Sequence, residues 1–219
     1  MGTLPTGTVT FLFTDIEGST KLWEQYPEEM KAALASHDLN LKKAIEANHG
    51  HVIKSTGDGI HAVFSTAINA VNAAIAAQRN LQSLITNLQI KVRIGVHTGE
   101  AEMRDGDYYG GTLNRAARIM SIGHGGQILL SETTAQVARD YLPKDVSLLD
   151  LGAHNLKGLN RSENIFQLIA PDLPHEFPAL KSLTHATHSL PTQLTSFIGR
   201  ERELALKQKK NLRVRACLH

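Results

Sequence analysis

The sequence contains little cysteine, few aromatic residues and no long apolar run. Cys217 is the only cysteine among 219 residues, which excludes a disulfide framework and favours a reducing compartment. No apolar run approaches the roughly 20 residues that a membrane-spanning helix needs. Residues 1–8 also lack the basic start and apolar core of a signal peptide. We therefore expect a cytoplasmic protein with no membrane partner.

Charge of one sign is also lacking, because the formal net charge is only +2. This balance gives no reason to expect a nucleic-acid partner. Hydrophobic content of 42% and charged content of 20% are typical of a soluble globular protein. Four prolines punctuate the chain after residue 170, where apolar periodicity fades: Pro171, Pro174, Pro178 and Pro191. We predict one compact domain over residues 1–170, with a linker and a poorly ordered tail over residues 171–219.

Hydrophobic periodicity predicts a mixed fold. Strand-type runs cover residues 8–15, 51–54, 60–64, 90–97, 127–130, 146–151 and 165–169, and the fourth run continues towards residue 103. Helix-type patterns cover residues 28–47, 67–85, 110–122 and 131–141, and a further short helix follows residue 18. This order does not alternate strictly between strand and helix. It therefore predicts an α+β, ferredoxin-like fold.

Two aspartates, Asp15 and Asp58, each follow a strand-type run and lie beside a glycine-containing turn. Carboxylates at rigid strand ends suit hard cations such as Mg²⁺, which are usually shared with substrate phosphates. Strand-end aspartates also commonly cap turns, which is the alternative for either residue alone. The pair favours phosphoryl or nucleotidyl chemistry.

A second cluster lies on one predicted helix, where Asn114 and Arg118 are four residues apart and therefore share a face. An amide and a guanidinium on one face can hold a ribose and neutralise charge on a phosphate. The alternative is a solvated helix face. Asn is a poor helix former, so its presence in this helix favours the functional interpretation.

Four motifs carry a resemblance to a known family: Phe-Thr-Asp-Ile-Glu-Gly-Ser-Thr (13–20), Lys-Ser-Thr-Gly-Asp-Gly (54–59), Val-Arg-Ile-Gly-Val-His-Thr-Gly (92–99) and Asp-Tyr-Tyr-Gly-Gly-Thr-Leu-Asn-Arg-Ala-Ala-Arg (107–118). In this order and spacing the chain resembles the catalytic domain of class III nucleotidyl cyclases, over about residues 9–168. The resemblance implies a central, mostly antiparallel sheet flanked by helices.

The resemblance also implies a role for each of nine positions. Asp15, the Ile16 carbonyl and Asp58 would bind Mg²⁺ or Mn²⁺, two ions per site; Lys54 and Asp107 would read the base; Asn114 would orient the ribose; Arg118 would stabilise transition-state charge; Arg93 and Lys157 would hold the β- and γ-phosphates. It further implies a homodimer with two composite sites, each built from residues of both chains.

The hydrogen-bonding polarity of the base-reading pair favours ATP over GTP. A Lys54 ammonium donates to adenine N1, whereas guanine N1 carries a proton, and an Asp107 carboxylate accepts from the adenine amino group. We therefore expect an adenylate cyclase that forms 3′,5′-cyclic AMP and pyrophosphate in intracellular signalling. The alternatives are a guanylate cyclase and a non-catalytic nucleotide-sensing or dimerisation module of a signalling regulator.

The C-terminal tail carries a second resemblance. Residues 189–204 resemble the lead-in to the ATPase module of bacterial signalling regulators. No phosphate-binding loop of the Gly-x-x-x-x-Gly-Lys-Ser/Thr type follows in this sequence. We expect no ATPase activity from the tail.

Overall fold

A computed structural model describes residues 4–84, 87–104 and 106–182 of the chain. Its strands are β1 (Gly7–Ile16), β2 (His51–Ser55), β3 (Ile60–Phe64), β4 (Val92–Arg104), β5 (Asp107–Tyr109), β6 (Ile128–Ser131), β7 (Ser147–His154) and β8 (Glu163–Ile169). Its helices are α1 (Ser19–Gln25), α2 (Pro27–Ala47), α3 (Ala67–Gln82), α4 (Gly111–Ile122) and α5 (Glu132–Ala138), with a 3₁₀ turn at Arg139–Tyr141.

The strands form one sheet in the order β2-β3-β1-β4-β6-β8-β7, and β5 pairs with the far end of β4. Every pairing is antiparallel except that of β4 with β6. The predicted α+β class, with a mostly antiparallel sheet flanked by helices, is confirmed. The sheet brings the end of β1 between the β2–β3 hairpin and the start of β4.

Alternation along β1 divides its side chains between two helix layers, because successive residues of a strand point to opposite faces. Leu12 and Ile16 belong to the larger core cluster with residues of α2 and α3. Phe11 and Phe13 belong to the cluster that includes Ala116 of α4. Burying each of these side chains contributes about 1.5–3 kcal/mol to stability. The end of β1 is thereby fixed from both faces.

Residues 171–182, which the sequence analysis places in a linker, pack on the domain and are named here the exit strap. Leu173 and Leu180 are buried. The side-chain amide of Gln167 donates to the His175 carbonyl, and Arg79 pairs with Asp172. The exit strap therefore follows the domain surface through residue 182. The predicted ATPase-like segment and Cys217 lie outside the described residues.

No helix in the described part of the chain combines the length and the apolar character that crossing a bilayer requires.

Candidate active site

Asp15 and Asp58 are brought together by hydrogen bonds between the end of β1 and the turn of the β2–β3 hairpin. The Ile16 amide donates to the Asp58 carbonyl at 3.1 Å, and the Ile60 amide donates to the Thr14 hydroxyl at 2.9 Å. A Cβ at Gly59 would collide with the Thr14 carbonyl oxygen, so only glycine allows this approach. The two predicted metal carboxylates therefore lie on neighbouring, mutually locked segments.

Ser19 adds a hydroxyl that the sequence analysis missed. It is the first residue of α1, and its Oγ donates to Asp58 Oδ2 at 2.5 Å. Gly18 precedes it with φ 73°, a left-handed conformation that favours glycine. The Gly-Ser-Thr sequence suggests only a helix start, whereas the hydroxyl here orients Asp58 across 39 residues of chain.

Arg93 lies directly opposite Asp15 in the β1–β4 register. Its Nη2 and Nε atoms lie 2.6 Å and 2.8 Å from Asp15 Oδ2, and its Nη1 donates to the Ser121 carbonyl at the end of α4, at 3.0 Å. The side chains of Arg93 and Asp15 are 22% and 23% exposed, so water still screens the pair. Arg93, expected to hold phosphates, thus lies beside the two carboxylates that are predicted to bind metal.

The oxygen ligands at this site fit a hard cation whose remaining ligands come from the substrate. Among the described residues, no group of three or more His, Cys, Asp and Glu side chains could hold a metal ion. The available ligands are the two carboxylates and the Ile16 carbonyl, which are all hard oxygens. Mg²⁺ typically binds through one or two carboxylates and takes further ligands from water and substrate phosphates. The residues present therefore suit Mg²⁺ or the similar Mn²⁺.

The other five predicted residues lie on exposed parts of the surface. Lys54 is on the edge strand β2, opposite His61; Asp107 begins β5; Asn114 and Arg118 lie on the exposed side of α4; Lys157 lies in the β7–β8 loop. Within the part of the chain described here, no hydrogen bond or ion pair joins these five side chains to Asp15 or Asp58. We name Asp15, Ile16, Asp58 and Arg93 the metal half of the candidate site and these five residues its nucleotide half. Within one chain, the two halves are not brought together.

A row of rings runs from His61, opposite Lys54 in the sheet, to Tyr108, which follows Asp107 in the chain. His61, opposite Lys54, stacks on Phe13 with ring centroids 3.7 Å apart. Phe13 meets Phe11 at 6.1 Å, and Phe11 meets Tyr108 at 5.3 Å. Burial lowers the pKa of His61, with a smaller contribution from the Lys54 charge, and burial raises the pKa of Tyr108. The sequence predicted a strand over residues 8–15, but it did not reveal this row.

The chain matches the family described as the adenylate and guanylate cyclase catalytic domain over residues 2–170. An uncharacterised protein of Mycobacterium tuberculosis is 43% identical over 206 residues, which cover 92% of this chain and 70% of that protein. An adenylate cyclase of Neurospora crassa is 29% identical, over 86% of this chain but only 10% of its own length.

Solved structures of cyclases also superpose on this chain. Adenylate cyclases from Trypanosoma brucei in their monomeric state superpose with a TM-score of 0.72 at 27% identity, covering 82% of this chain and 94% of theirs. A guanylate cyclase domain from Catenaria anguillulae in complex with GTP superposes with a TM-score of 0.66 at 23% identity, covering 75% and 97%. At that identity the second likeness concerns the fold alone.

Proposed function

The chain belongs to the adenylate and guanylate cyclase catalytic-domain family, and we propose that it is an adenylate cyclase with two sites shared by a homodimer. The observation that carries the proposal is the locked arrangement of Asp15 and Asp58. Their two turns are joined backbone to backbone, and Ser19 orients one carboxylate. Both carboxylates are thereby held in place before any substrate binds, which is the preorganisation that phosphoryl chemistry requires.

Asp15, Asp58 and the Ile16 carbonyl would hold the metal ions. When bound, two Mg²⁺ or Mn²⁺ ions supply charge that lowers the pKa of the ribose 3′-hydroxyl and neutralises triphosphate oxygens. Arg93 keeps the Asp15 carboxylate compensated in their absence. Its guanidinium has five N–H donors, so it can also donate to the β- and γ-phosphates without leaving this position. Lys157 would contact the same phosphates from the β7–β8 loop.

The reaction needs no covalent protein nucleophile. The ribose 3′-hydroxyl gives its proton to water and its oxygen attacks the α-phosphorus in line. The bond from that phosphorus to the bridging oxygen breaks, and pyrophosphate leaves with the electron pair. Asn114 would orient the ribose, and the Arg118 guanidinium would stabilise charge that develops on the phosphate oxygens. Positioning and electrostatics supply the acceleration.

The choice of ATP rests on the donors and acceptors at the base. The Lys54 ammonium can only donate, which matches the lone pair of adenine N1, and the Asp107 carboxylate can only accept, which matches the adenine amino group. Guanine presents the opposite polarity at both positions. Guanylate cyclase is the second candidate, because a cyclase domain in complex with GTP shares the fold.

The homodimer is supported by the way β4 separates the two halves of the site. Arg93 lies opposite Asp15 near the start of β4, whereas Asp107 pairs with Arg104 at its other end. A two-fold pair of chains would bring the metal half of one chain to the nucleotide half of the other, and would complete two equivalent sites.

The decisive assay incubates the purified chain with ATP or GTP and either Mg²⁺ or Mn²⁺, and measures cyclic nucleotide and pyrophosphate. We expect cyclic AMP and pyrophosphate in equal amounts from ATP, and little cyclic GMP from GTP. Cyclic GMP as the main product would identify a guanylate cyclase. A folded protein that binds nucleotide yet releases no cyclic product would support the non-catalytic sensing module.

A further inference from the structure

Lys181 of the exit strap contacts two separate parts of the candidate site. Its Nζ lies 2.5 Å from Glu17 Oε1, and its backbone amide donates to the Ile122 carbonyl at 3.0 Å. Glu17 follows Asp15 and Ile16 directly in the chain. Ile122 is the last residue of α4, the helix that carries Asn114 and Arg118. One strap residue therefore bridges residues 15–17, named here the metal turn, and the end of α4.

Glu17 is held on both its backbone and its carboxylate. Its amide donates to the Lys91 carbonyl at 2.9 Å, and its Oε2 accepts from the Gly125 amide at 3.0 Å. A Cβ at Gly125 would collide with Lys91, so this approach requires glycine. With Oε1 on Lys181, both carboxylate oxygens are engaged, and the backbone next to the Ile16 carbonyl has little freedom.

The contact at the end of α4 lies next to a functional group. Ser121 precedes Ile122, and its carbonyl accepts from Arg93 Nη1 at 3.0 Å. Arg93 is in turn paired with Asp15. A closed path of contacts therefore runs from Asp15 through Arg93 to the end of α4, on to Lys181, and back through Glu17 to the metal turn.

The rest of the exit strap fixes the position of Lys181. His124 Nε2 lies 3.1 Å from the Ala179 carbonyl and its ring stacks on Phe177. Leu180 is buried beside Lys181, and Ser182 Oγ lies 2.9 Å from His154 Nδ1. Lys181 is therefore anchored on both sides in sequence, and its ammonium is presented to Glu17 by a packed segment.

We propose that Lys181 is a positioning residue. Its contacts with Glu17 and with the Ile122 carbonyl, together named here the clasp, fix the metal turn relative to the end of α4. The inference rests on the proposed function in one respect, namely that Asp15 and Asp58 bind metal. In the proposed dimer, the metal turn and α4 of one chain serve different sites. A single Lys181 clasp then bears on both sites, and the exit strap is part of the catalytic unit.

The sign of the effect separates positioning from simple electrostatics. Lys181 is a cation near a cation-binding turn, so removing its charge alone would strengthen metal binding. Loss of a clasp instead loosens the turn and weakens metal binding. The partners are partly exposed, at 45% for Lys181 and 33% for Glu17, and ion pairs of this kind change equilibria by up to about fivefold.

The test measures Mn²⁺ binding directly, by electron paramagnetic resonance of free Mn²⁺, without nucleotide or turnover. Lys181→Met removes the contact with Glu17 and keeps the backbone bond to Ile122, whereas Lys181→Arg keeps the charge. The matched control is Asp172→Asn, which breaks another strap ion pair, with Arg79, and leaves both Lys181 and Glu17 unchanged. Glu17→Gln, alone and combined with Lys181→Met, completes a double-mutant cycle.

We expect Lys181→Met to weaken Mn²⁺ binding about two- to fivefold, while Lys181→Arg and Asp172→Asn bind Mn²⁺ as the wild type does. In the Glu17→Gln background, Lys181→Met should weaken binding no further. Unchanged or tighter Mn²⁺ binding by Lys181→Met would overturn the proposal, as would an equal loss in Asp172→Asn. Because the readout needs no turnover, a failure of the clasp is distinguishable from a failure of the proposed cyclase activity.

Discussion

The metal half and the nucleotide half of the candidate site are built in opposite ways. In the metal half, Asp15 is paired with Arg93, Asp58 accepts from Ser19, and their backbones are joined. In the nucleotide half, Lys54 and Asn114 point from exposed positions on β2 and α4. The first half is assembled within one chain, whereas the side chains of the second are exposed and, among the described residues, make no hydrogen bond or ion pair to Asp15 or Asp58. This difference is the physical reason to expect a composite site.

The same contrast indicates which half of the site must be rigid before a cation binds. Carboxylates near each other repel, so each needs its own hydrogen-bonding or ionic partner to stay in place before a cation arrives. Exposed lysine and arginine side chains have no such requirement, because water solvates them. Substitutions in the metal half should therefore be poorly tolerated. Substitutions in the nucleotide half should mainly change substrate choice and turnover.

The largest effect is expected from Asp58→Ala, which removes one of the two carboxylates. Activity should fall roughly 1,000-fold, because electrostatic stabilisation of the phosphates is lost, while circular dichroism shows an unchanged fold. Asp140→Ala, at an exposed position in the 3₁₀ turn, serves as the control and should remain active. Normal turnover in Asp58→Ala would contradict the assignment of the metal half.

The next effect concerns the base. Lys54→Glu combined with Asp107→Ser inverts the polarity offered to the purine and should lower kcat/KM for ATP roughly 100-fold. The ratio of ATP to GTP turnover is the measurement, and Mn²⁺ binding without nucleotide should not change. If the double variant keeps the wild-type ratio, the base is recognised elsewhere.

A smaller effect sharpens the role of Ser19. Ser19→Ala leaves Asp58 Oδ2 without its donor, and we expect an approximately fivefold rise in the Mn²⁺ concentration needed for half-maximal activity. Ser19→Thr keeps the hydroxyl and should restore wild-type behaviour. Equal behaviour of the Ala and Thr variants would show that the hydroxyl does not position the carboxylate.

The last effect is on stability rather than on activity and comes from buried His97. Burial, aided by the Arg115 charge, lowers its pKa from 6.5 to about 4, and its Nδ1 lies 2.8 Å from Ser131 Oγ. The folded state therefore favours the neutral ring. This stabilisation is present above pH 6.5 and is lost as the pH falls towards 4. By linkage, the loss between about pH 7.5 and about pH 5 is about 2 kcal/mol.

Urea unfolding of wild type and His97→Gln at those two pH values checks this sign. The variant should lose less stability on acidification, although its stability near neutral pH is lower. Burial also lowers the pKa values of His37 and His61, so the variant should keep part of the dependence. An identical loss in both proteins would show that His97 stays neutral or titrates normally in both states.

Local pattern was sufficient for most elements of this fold. Serine is a favoured residue at a helix start, which predicts a cap at Ser131, and its hydroxyl accepts from the Thr134 amide. Helix α2 was expected over residues 28–47 and is found at Pro27–Ala47. One strand, β5 at Asp107–Tyr109, was missed. The other errors concern ends: the fourth strand begins at Val92 rather than Ile90, because Lys91 uses its carbonyl to accept from Glu17 outside the sheet.

Contacts between distant segments were beyond local pattern. The apolar residues of the exit strap follow neither a helical nor a strand period, so the sequence pattern did not predict that its leucines are buried. It also did not predict the contact between Lys181 and Glu17, which are 164 residues apart in sequence. The pairing of Arg93 with Asp15 follows from a β1–β4 register, which periodicity alone does not fix. Local pattern singled out Asp15, Asp58, Asn114 and Arg118, the motif resemblance added the other five site residues, and the roles of all nine remain predictions.

The most direct test of the shared site mixes two inactive variants, Asp58→Ala and Asn114→Ala, under conditions in which subunits exchange. One lesion lies in each half, so a mixed dimer collects both lesions at one site and leaves the other site wild type. With random exchange, activity should return to about a quarter of the wild-type value, since half of the dimers are mixed and each has one good site. Mixed dimers that demonstrably form, detected by two different affinity tags, but stay inactive would contradict the shared site.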